Sequence, residues 1–185
     1  MDIKTRVYKR NEIILHSAKS YDNPFMDVEI NAVFTHEGGT VITLPGFWNG
    51  GNEWKVRFSA ELAGKWEYSV SCTDHDNTSL FDNGTIDAAP CLEPKNELEK
   101  HGYVRLEDGK RYMVYADGTP FFYLGDTHWN FGLEPLDIVQ AVADARVEQG
   151  YTVWQSEPLG GNLGYENGIN INDVLNFQKF DEKFK

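Results

Sequence analysis

The chain has 185 residues, of which 41% are hydrophobic and 14% aromatic, and its 17 Lys and Arg against 29 Asp and Glu give a formal net charge of −12. This composition is typical of a globular protein, and the length allows one full domain, or a small domain with part of another. The acidic balance, without a basic cluster, argues against nucleic acid and anionic membranes as partners, because both are bound through Lys and Arg.

The N-terminus contains no recognisable targeting signal. Residues 1–6 lack the hydrophobic segment of a signal peptide. No apolar run of the sequence approaches the about 20 residues with which a helix crosses a bilayer. We therefore expect a cytoplasmic protein, and export stays open.

Residues 1–90 alternate between apolar and polar side chains and are interrupted repeatedly by turn residues. The apolar faces of three predicted strands are Val28, Ile30, Ala32 and Phe34; Trp54, Val56 and Phe58; and Trp66, Tyr68, Val70 and Cys72. Short half-buried strands at this spacing predict an antiparallel β-sandwich of the immunoglobulin-like kind. We expect this domain to span residues 1–90, with Trp54, Phe58 and Trp66 in its core. No helical period is visible before residue 92.

The two cysteines of the chain are Cys72 and Cys91. Cys72 shares the apolar face of its predicted strand, which indicates a buried free thiol. A disulfide with Cys91 stays open if the protein is exported. Two sulfurs without a supporting His cluster do not predict a zinc site.

Two segments of the predicted sandwich could bind a ligand, and for each a structural role is favoured. Trp48, next to the Gly50-Gly51 turn, could be an exposed carbohydrate platform, but aromatic side chains of small β-domains mostly fill the core or a domain interface. Residues 74–77, Asp-His-Asp-Asn, resemble a calcium loop without its required glycine. They predict a solvated turn.

The pattern of the sequence changes after residue 90. Residues 91–100 are polar and predict a linker, and residues 101–185 predict a second structural region. A hairpin is indicated by β-rich runs at 103–106 and 112–115, which flank Asp108-Gly109. The apolar run at 121–124 then predicts a strand buried on both faces, as in a parallel sheet.

A helix and a further strand complete a predicted βαβ unit at residues 121–155. Pro135 is suited to the first position of a helix, and Gly150 to the position just after its end. The β-rich run at 151–155 predicts the second strand. A strand, a helix and a strand in this order imply a parallel sheet with a right-handed crossover.

Segments in both regions resemble one family. The first region contains Asn23-Pro24-Phe25-Met26-Asp27-Val28, Pro45-Gly46-Phe47-Trp48-Asn49-Gly50-Gly51, Trp54-Lys55-Val56-Arg57-Phe58 and Gly64-Lys65-Trp66-Glu67-Tyr68. These segments resemble the β-sandwich domain that precedes bacterial apiosidase-like glycoside hydrolases. Residues 117–129 resemble the opening strand of the (β/α)₈ catalytic domain of that family, and residues 150–155 resemble its second strand.

The resemblance implies a mostly β protein, in which the sandwich is followed by the first βαβ unit of an incomplete (β/α)₈ barrel. It also implies hydrolysis of glycosidic bonds in polysaccharide side chains by two carboxylates on later barrel strands. Residues 101–185 are far fewer than the about 200 to 250 residues of such a barrel. We therefore expect the N-terminal portion of a longer enzyme, inactive alone, with a carbohydrate as partner and with no metal or other cofactor.

Five residues at the ends of the two predicted barrel strands form the candidate substrate site: Asp126, His128, Trp129, Gln155 and Glu157. A carboxylate can accept hydrogen bonds from sugar hydroxyls, and an indole can cover the C–H face of a sugar ring. Alternatively, Asp126 and Thr127 cap the turn after the strand through local hydrogen bonds, and His128, where the resemblance leads us to expect a small residue, is structural. A less favoured alternative makes Asp126 and Glu157 the catalytic acid and nucleophile.

Two rival interpretations remain. The chain could be a non-catalytic carbohydrate-binding or scaffolding module, or a nonfunctional gene fragment. An incomplete barrel would also leave strand edges unpaired, which predicts self-association of the second region.

Overall fold

The structure, a computed structural model, describes residues 2–129 and 134–156 and is mostly β. It divides into two units. Among the described residues, the first holds those up to Val104 together with Tyr115–Asp117, and the second holds Arg105–Val114 and those from Gly118 onward. The described residues include no closed barrel. None of the helices they form is both long and apolar enough for a membrane span.

The first unit contains two β-sheets. In chain order their strands are β1 (Asp2–Arg6), β2 (Arg10–His16), β3 (Ile30–His36), β4 (Val41–Pro45), β5 (Phe47–Trp48), β6 (Glu53–Ser59), β7 (Gly64–Cys72) and β8 (Asp82–Ala89). One sheet has the strand order β1-β8-β7-β3-β4, and the other β2-β6-β5. All pairs are antiparallel except β1 with β8, which run parallel with Asp2 opposite Thr85 and Arg6 opposite Ala89.

Both sheets contribute side chains to one hydrophobic core. The three predicted apolar faces are buried: every residue named for them is at most 5% exposed. The rings of Phe34 from one sheet and Phe58 from the other stack with centroids 4.0 Å apart. Trp48 packs against this core, as predicted. Two sheets on one core support the predicted sandwich, and its immunoglobulin-like topology stays a prediction.

Cys72 is buried and free, as predicted, and Cys91 is also a free thiol. Burial raises the pKa of the Cys72 thiol above its ordinary value. The Cys72 thiol therefore stays protonated at neutral pH, which is consistent with a structural role.

The first unit contains helical turns that the alternation of the sequence did not predict. The helix α1 covers Pro24–Asp27 and begins with a proline, whose fixed φ suits a first helical position. A 3₁₀ turn covers Thr78–Leu80. These elements are consistent with the absence of a visible helical period before residue 92, because one helical turn is too short to show a 3.6-residue period.

The prediction that residues 74–77 form a solvated turn is wrong for Asn77, which is buried. Asn77 is only 2% exposed, and its amide donates to the Ser17 hydroxyl over 2.8 Å and to the Tyr21 hydroxyl over 2.7 Å. Asp74 accepts hydrogen bonds from Lys19 and from Tyr21. These side chains join the segment to the loop after β2, which alternation alone does not indicate.

The predicted linker contains a second helix, α2 (Glu97–His101). The Asn96 side chain accepts a hydrogen bond from the Glu99 backbone N–H over 2.9 Å, an N-terminal cap. Arg6 of β1 donates to the Glu99 carboxylate over 2.6 Å. The boundary predicted at residues 91–100 stays a prediction, but this segment belongs to the first unit.

Three short strands follow: β9 (Val104–Leu106), β10 (Met113–Tyr115) and β11 (Pro120–Phe121). They form one sheet in the order β11-β10-β9, so the predicted hairpin around Asp108-Gly109 is confirmed. Gly109 has φ +68°, a turn conformation that suits glycine.

The strand predicted at residues 121–124 is found a few residues later in the chain. The pairing strand is β12 (Gly125–Thr127), while Phe122 and Tyr123 are 74% and 54% exposed. The Thr152 hydroxyl donates to the Phe122 carbonyl and accepts from the Leu124 N–H. At residues 122–124, hydrogen bonds from a side chain therefore take the place of backbone hydrogen bonds between strands. The prediction of a buried strand at 121–124 is therefore wrong by a few residues.

The βαβ order is as predicted. Helix α3 (Leu136–Glu148) follows β12, and β13 (Val153–Gln155) pairs with β12 in parallel. Pro135 precedes the first helical residue instead of occupying it. Gly150, just after the helix end, has φ +84°, as expected of a glycine there.

Candidate functional site

The site is built on the last residues of two short parallel strands. Asp126 lies opposite Trp154, and Thr127 lies opposite Gln155. Because side chains alternate between the two faces of a strand, Asp126 and Trp154 share one face, and Thr127 and Gln155 share the other. The residues that the sequence groups together are therefore divided between two faces.

Asp126 is held by the crossover helix. The Nε of Arg146, in the last turn of α3, donates to Asp126 Oδ2 over 2.6 Å. The same guanidinium donates to Gln149 over 2.8 Å and lies 5.3 Å from the centre of the Tyr151 ring. The carboxylate thus lies on the helix face of the strand pair and joins strand to helix.

The electrostatics of this pair fix the charge of Asp126. The hydrogen bond from Arg146 and its charge, and to a smaller extent the Thr127 backbone N–H and the nearby His128, hold the pKa of the Asp126 carboxyl below its ordinary value. Asp126 is therefore ionised at neutral pH. It can accept hydrogen bonds, but as an ionised group it cannot serve as a general acid.

His128 and Trp129 follow β12 directly. The His128 backbone N–H donates to the Gln155 carbonyl over 2.9 Å, which extends the strand pairing. The His128 ring stacks on the Trp154 indole, with centroids 5.8 Å apart and planes at 14°. Trp129 is 62% exposed, so its indole can meet a ligand.

At the carboxyl ends of the two strands, Asp126 and His128 lie on one face and Gln155 on the other, with Trp129 next in the chain. Glu157 lies outside the described residues, so the Asp126 and Glu157 alternative is not tested. The substrate-binding roles of all five residues stay predictions.

Sequence reasoning missed Arg146 and gave Thr127 only a capping role. Thr127 and Gln155 are both exposed on the face opposite Asp126. The period of two along β12 could have separated Asp126 from Thr127 beforehand. The partner of Asp126, on a helix twenty residues later, left no local signal.

The described part of the chain contains no candidate metal-binding site. Residues 2–129 and 134–156 contain no group of three or more His, Cys, Asp or Glu that could hold a metal ion. Asp126 is instead neutralised by an arginine.

Comparison with known proteins gives two family matches in chain order. Residues 4–73 match a domain of unknown function, DUF5060, and residues 107–183 match the apiosidase-like catalytic domain. No curated protein sequence matches the chain.

One similar solved structure is a crystal structure at 1.80 Å resolution of a candidate glycoside hydrolase from Bacteroides vulgatus ATCC 8482. The two proteins share 27% sequence identity with a TM-score of 0.68 over 83% of this chain. The match spans only 28% of the Bacteroides protein. The predicted resemblance is thus confirmed: the first region resembles DUF5060, and the second resembles part of the apiosidase-like catalytic domain.

Proposed function

We propose that the chain is the N-terminal portion of a glycoside hydrolase that cleaves side chains of a polysaccharide. The match of residues 107–183 to the apiosidase-like catalytic domain, behind a DUF5060-type domain, carries this proposal. The small share of the Bacteroides protein that the chain spans supports it, because most of that protein has no counterpart here.

We propose further that the first unit is an immunoglobulin-like sandwich and that β12, α3 and β13 begin a (β/α)₈ barrel. Barrel enzymes build their active sites at the carboxyl ends of the strands. Thr127 and Gln155 occupy those ends on the face opposite α3, and Trp129 follows β12. In this proposal they form one wall of the sugar site, whereas His128, which stacks on Trp154, lies on the face of Asp126.

In this proposal the two catalytic carboxylates are on later barrel strands. Glycoside hydrolysis uses two carboxyl groups, one of which starts protonated in order to donate to the leaving group. Asp126 does not suit the protonated role, because Arg146 keeps it ionised. We assign Asp126 to positioning β12 against α3, with hydrogen bonding to a sugar hydroxyl as its alternative.

The test compares this 185-residue chain with the polypeptide encoded by the reading frame extended downstream. Both are assayed on aryl glycosides and on pectic side-chain oligosaccharides. We expect turnover by the extended polypeptide only. In that polypeptide Gln155→Ala should raise KM more than it lowers kcat, because Gln155 is placed in the binding wall.

Turnover by the 185 residues alone, abolished by Asp126→Ala or Glu157→Ala, would overturn the proposal and make those carboxylates catalytic. Absence of turnover in the extended polypeptide on every glycoside would also overturn it.

A further inference from the structure

The first unit contains a cavity of about 200 Å³ between α1, the first residues of β3 and the turn from β4 to β5. We call it the α1 cavity. Its walls include Phe25, Phe47, Trp48, Glu29 and Asn31, and Trp54 also lines it. Its volume is below the about 300–1,000 Å³ of pockets for drug-sized ligands, which restricts an occupant to about one ring.

The cavity owes its shape to a close approach of two backbone segments. Gly46, between β4 and β5, donates its N–H to the Ile30 carbonyl over 2.7 Å. A Cβ atom on residue 46 would lie 2.7 Å from Ile30 Cγ2, so only glycine fits at this corner without a shift. The turn is therefore held against the start of β3.

The aromatic walls are fixed before any ligand arrives. The Trp48 indole N–H donates to the Gly51 carbonyl over 2.9 Å. The Arg57 guanidinium lies 4.7 Å from the centre of the Phe47 ring. Fixed side chains lower the entropy cost of binding, because they lose little freedom when a ligand enters.

Three polar groups in the lining have unused hydrogen-bonding capacity. Glu29 and Asn31 are exposed, and within the described residues neither side chain has a hydrogen-bond partner. Trp54 is 1% exposed, and its buried indole N–H has no acceptor among those residues. This N–H is fully buried, so Glu29 and Asn31 are the polar side chains of the lining that a ligand can contact.

We propose that the α1 cavity binds one ring of a neutral sugar. An aromatic wall suits the C–H face of a sugar ring, and a carboxylate with an amide suits its hydroxyl groups. Glu29 and the net charge of −12 disfavour an anionic ligand. This inference goes beyond the proposed hydrolase and does not depend on it, because binding here involves no bond cleavage.

The test is a sugar titration of the ¹⁵N-labelled 185-residue chain followed by NMR. The probes are D-glucose with D-glucuronate, D-galactose with D-galacturonate, and D-xylose. We expect at least one neutral sugar to shift the Trp54 indole and Asn31 amide signals with a millimolar Kd, and the matching uronate to bind more weakly.

Variants then locate the binding site. The double variant Glu29→Gln with Asn31→Ala should weaken binding about 10-fold or more, which corresponds to about 1.4 kcal/mol. Glu67→Gln, the same charge change on an exposed position of β7, should leave the Kd unchanged. Phe25→Ala, which removes part of the aromatic wall, should weaken binding even if the double variant fails to fold.

Three results would overturn the inference. In the first, no sugar shifts the Trp54 and Asn31 signals. In the second, the folded double variant and Phe25→Ala both bind as tightly as the original chain. In the third, a uronate binds the cavity in preference to every neutral sugar. Because the titration measures no turnover, each of these results is distinct from failure of the hydrolase proposal.

Discussion

Two tryptophans of the first unit are equally buried but differ by one hydrogen bond. The Trp66 indole N–H donates to the Leu62 carbonyl over 3.0 Å, whereas the Trp54 indole N–H has no acceptor among the described residues. Both side chains are at most 1% exposed. Replacing each by phenylalanine removes a similar volume, so a comparison of the two variants isolates the hydrogen bond.

We expect Trp66→Phe to lower the free energy of unfolding more than Trp54→Phe, by about 1–2 kcal/mol. The first change breaks a bond and leaves a carbonyl unpaired, while the second removes a donor that was already unsatisfied. Denaturant unfolding of both variants measures the difference. Equal losses, or a larger loss in Trp54→Phe, would contradict the prediction.

The pair of Asp126 and Arg146 predicts a pH effect. Because the folded-state pKa of Asp126 is lowered, the pair stabilises the fold above the ordinary aspartate pKa of about 3.9. That contribution is lost as the pH falls through the lowered folded-state pKa.

We expect Arg146→Gln to raise the pKa of Asp126 toward its ordinary value, as measured by carboxyl ¹³C NMR. It should also weaken the dependence of stability on pH below about 4. Arg105→Gln is the matched control, because Arg105 pairs with Glu107 over 3.1 Å. An unchanged Asp126 pKa in Arg146→Gln would refute the assigned cause.

At the scale of elements, alternation of apolar and polar residues predicted the strands β3, β6 and β7 and their buried faces. Those strands lie against one core, so burial itself imposes the period of two. The prediction of a strand failed at residues 121–124, because their backbone hydrogen bonds are made by Thr152, which is distant in sequence. The one-turn helices also depend on tertiary contacts, and so does the pairing of Arg146 with Asp126. Neither could be predicted from a local pattern.

Gly102 ends α2 with φ +86° in a crowded position. A Cβ atom there would lie 2.6 Å from the Ala116 Cβ and 2.8 Å from the Tyr8 ring. Gly39, in the turn between β3 and β4, has φ +93°, and a Cβ atom on it would meet nothing within 4 Å. Both glycines have a positive φ, which would strain an alanine but not a glycine, and they differ in crowding.

We expect Gly39→Ala to cost about 1–2 kcal/mol of stability, because alanine is strained in a left-handed conformation. Gly102→Ala should cost about 1–3 kcal/mol more, because overpacking adds to that strain. Thermal or urea unfolding of the two variants measures both values. A Gly102→Ala variant no less stable than Gly39→Ala would disprove the effect of crowding.

At the scale of the whole molecule, the first unit extends beyond the predicted domain end at residue 90. The Arg6 guanidinium donates hydrogen bonds to the Glu99 carboxylate and to the Glu93 carbonyl. His101 Nδ1 lies 2.6 Å from Asp117 Oδ2. The Tyr115 ring lies 5.2 Å from the His101 ring. These contacts tie residues 93–104 and Tyr115–Asp117 into the first unit, whereas Arg105–Val114 belong to the second. Self-association of the second region stays a prediction.

We therefore expect a polypeptide of residues 1–117 to unfold cooperatively at a higher temperature than one of residues 1–92. Arg6→Gln should lower the midpoint of the longer polypeptide and leave that of the shorter one unchanged. Calorimetry of the four proteins tests this. Equal midpoints for the two lengths would show that residues 93–117 add nothing to the unit.

The parallel pairing of β1 with β8 has a mechanical consequence. Pulling residue 2 away from residue 89 loads the five register pairs in shear, all at once, because the two attachment points lie at opposite ends of the paired strands. Pulling Asn31 away from Pro45, opposite each other at one end of β3 and β4, opens one pair at a time. In single-molecule stretching we expect the higher rupture force along the first direction, and equal forces would refute it. A chain tethered at both ends of this unit would thus resist tension through two strands that are distant in sequence.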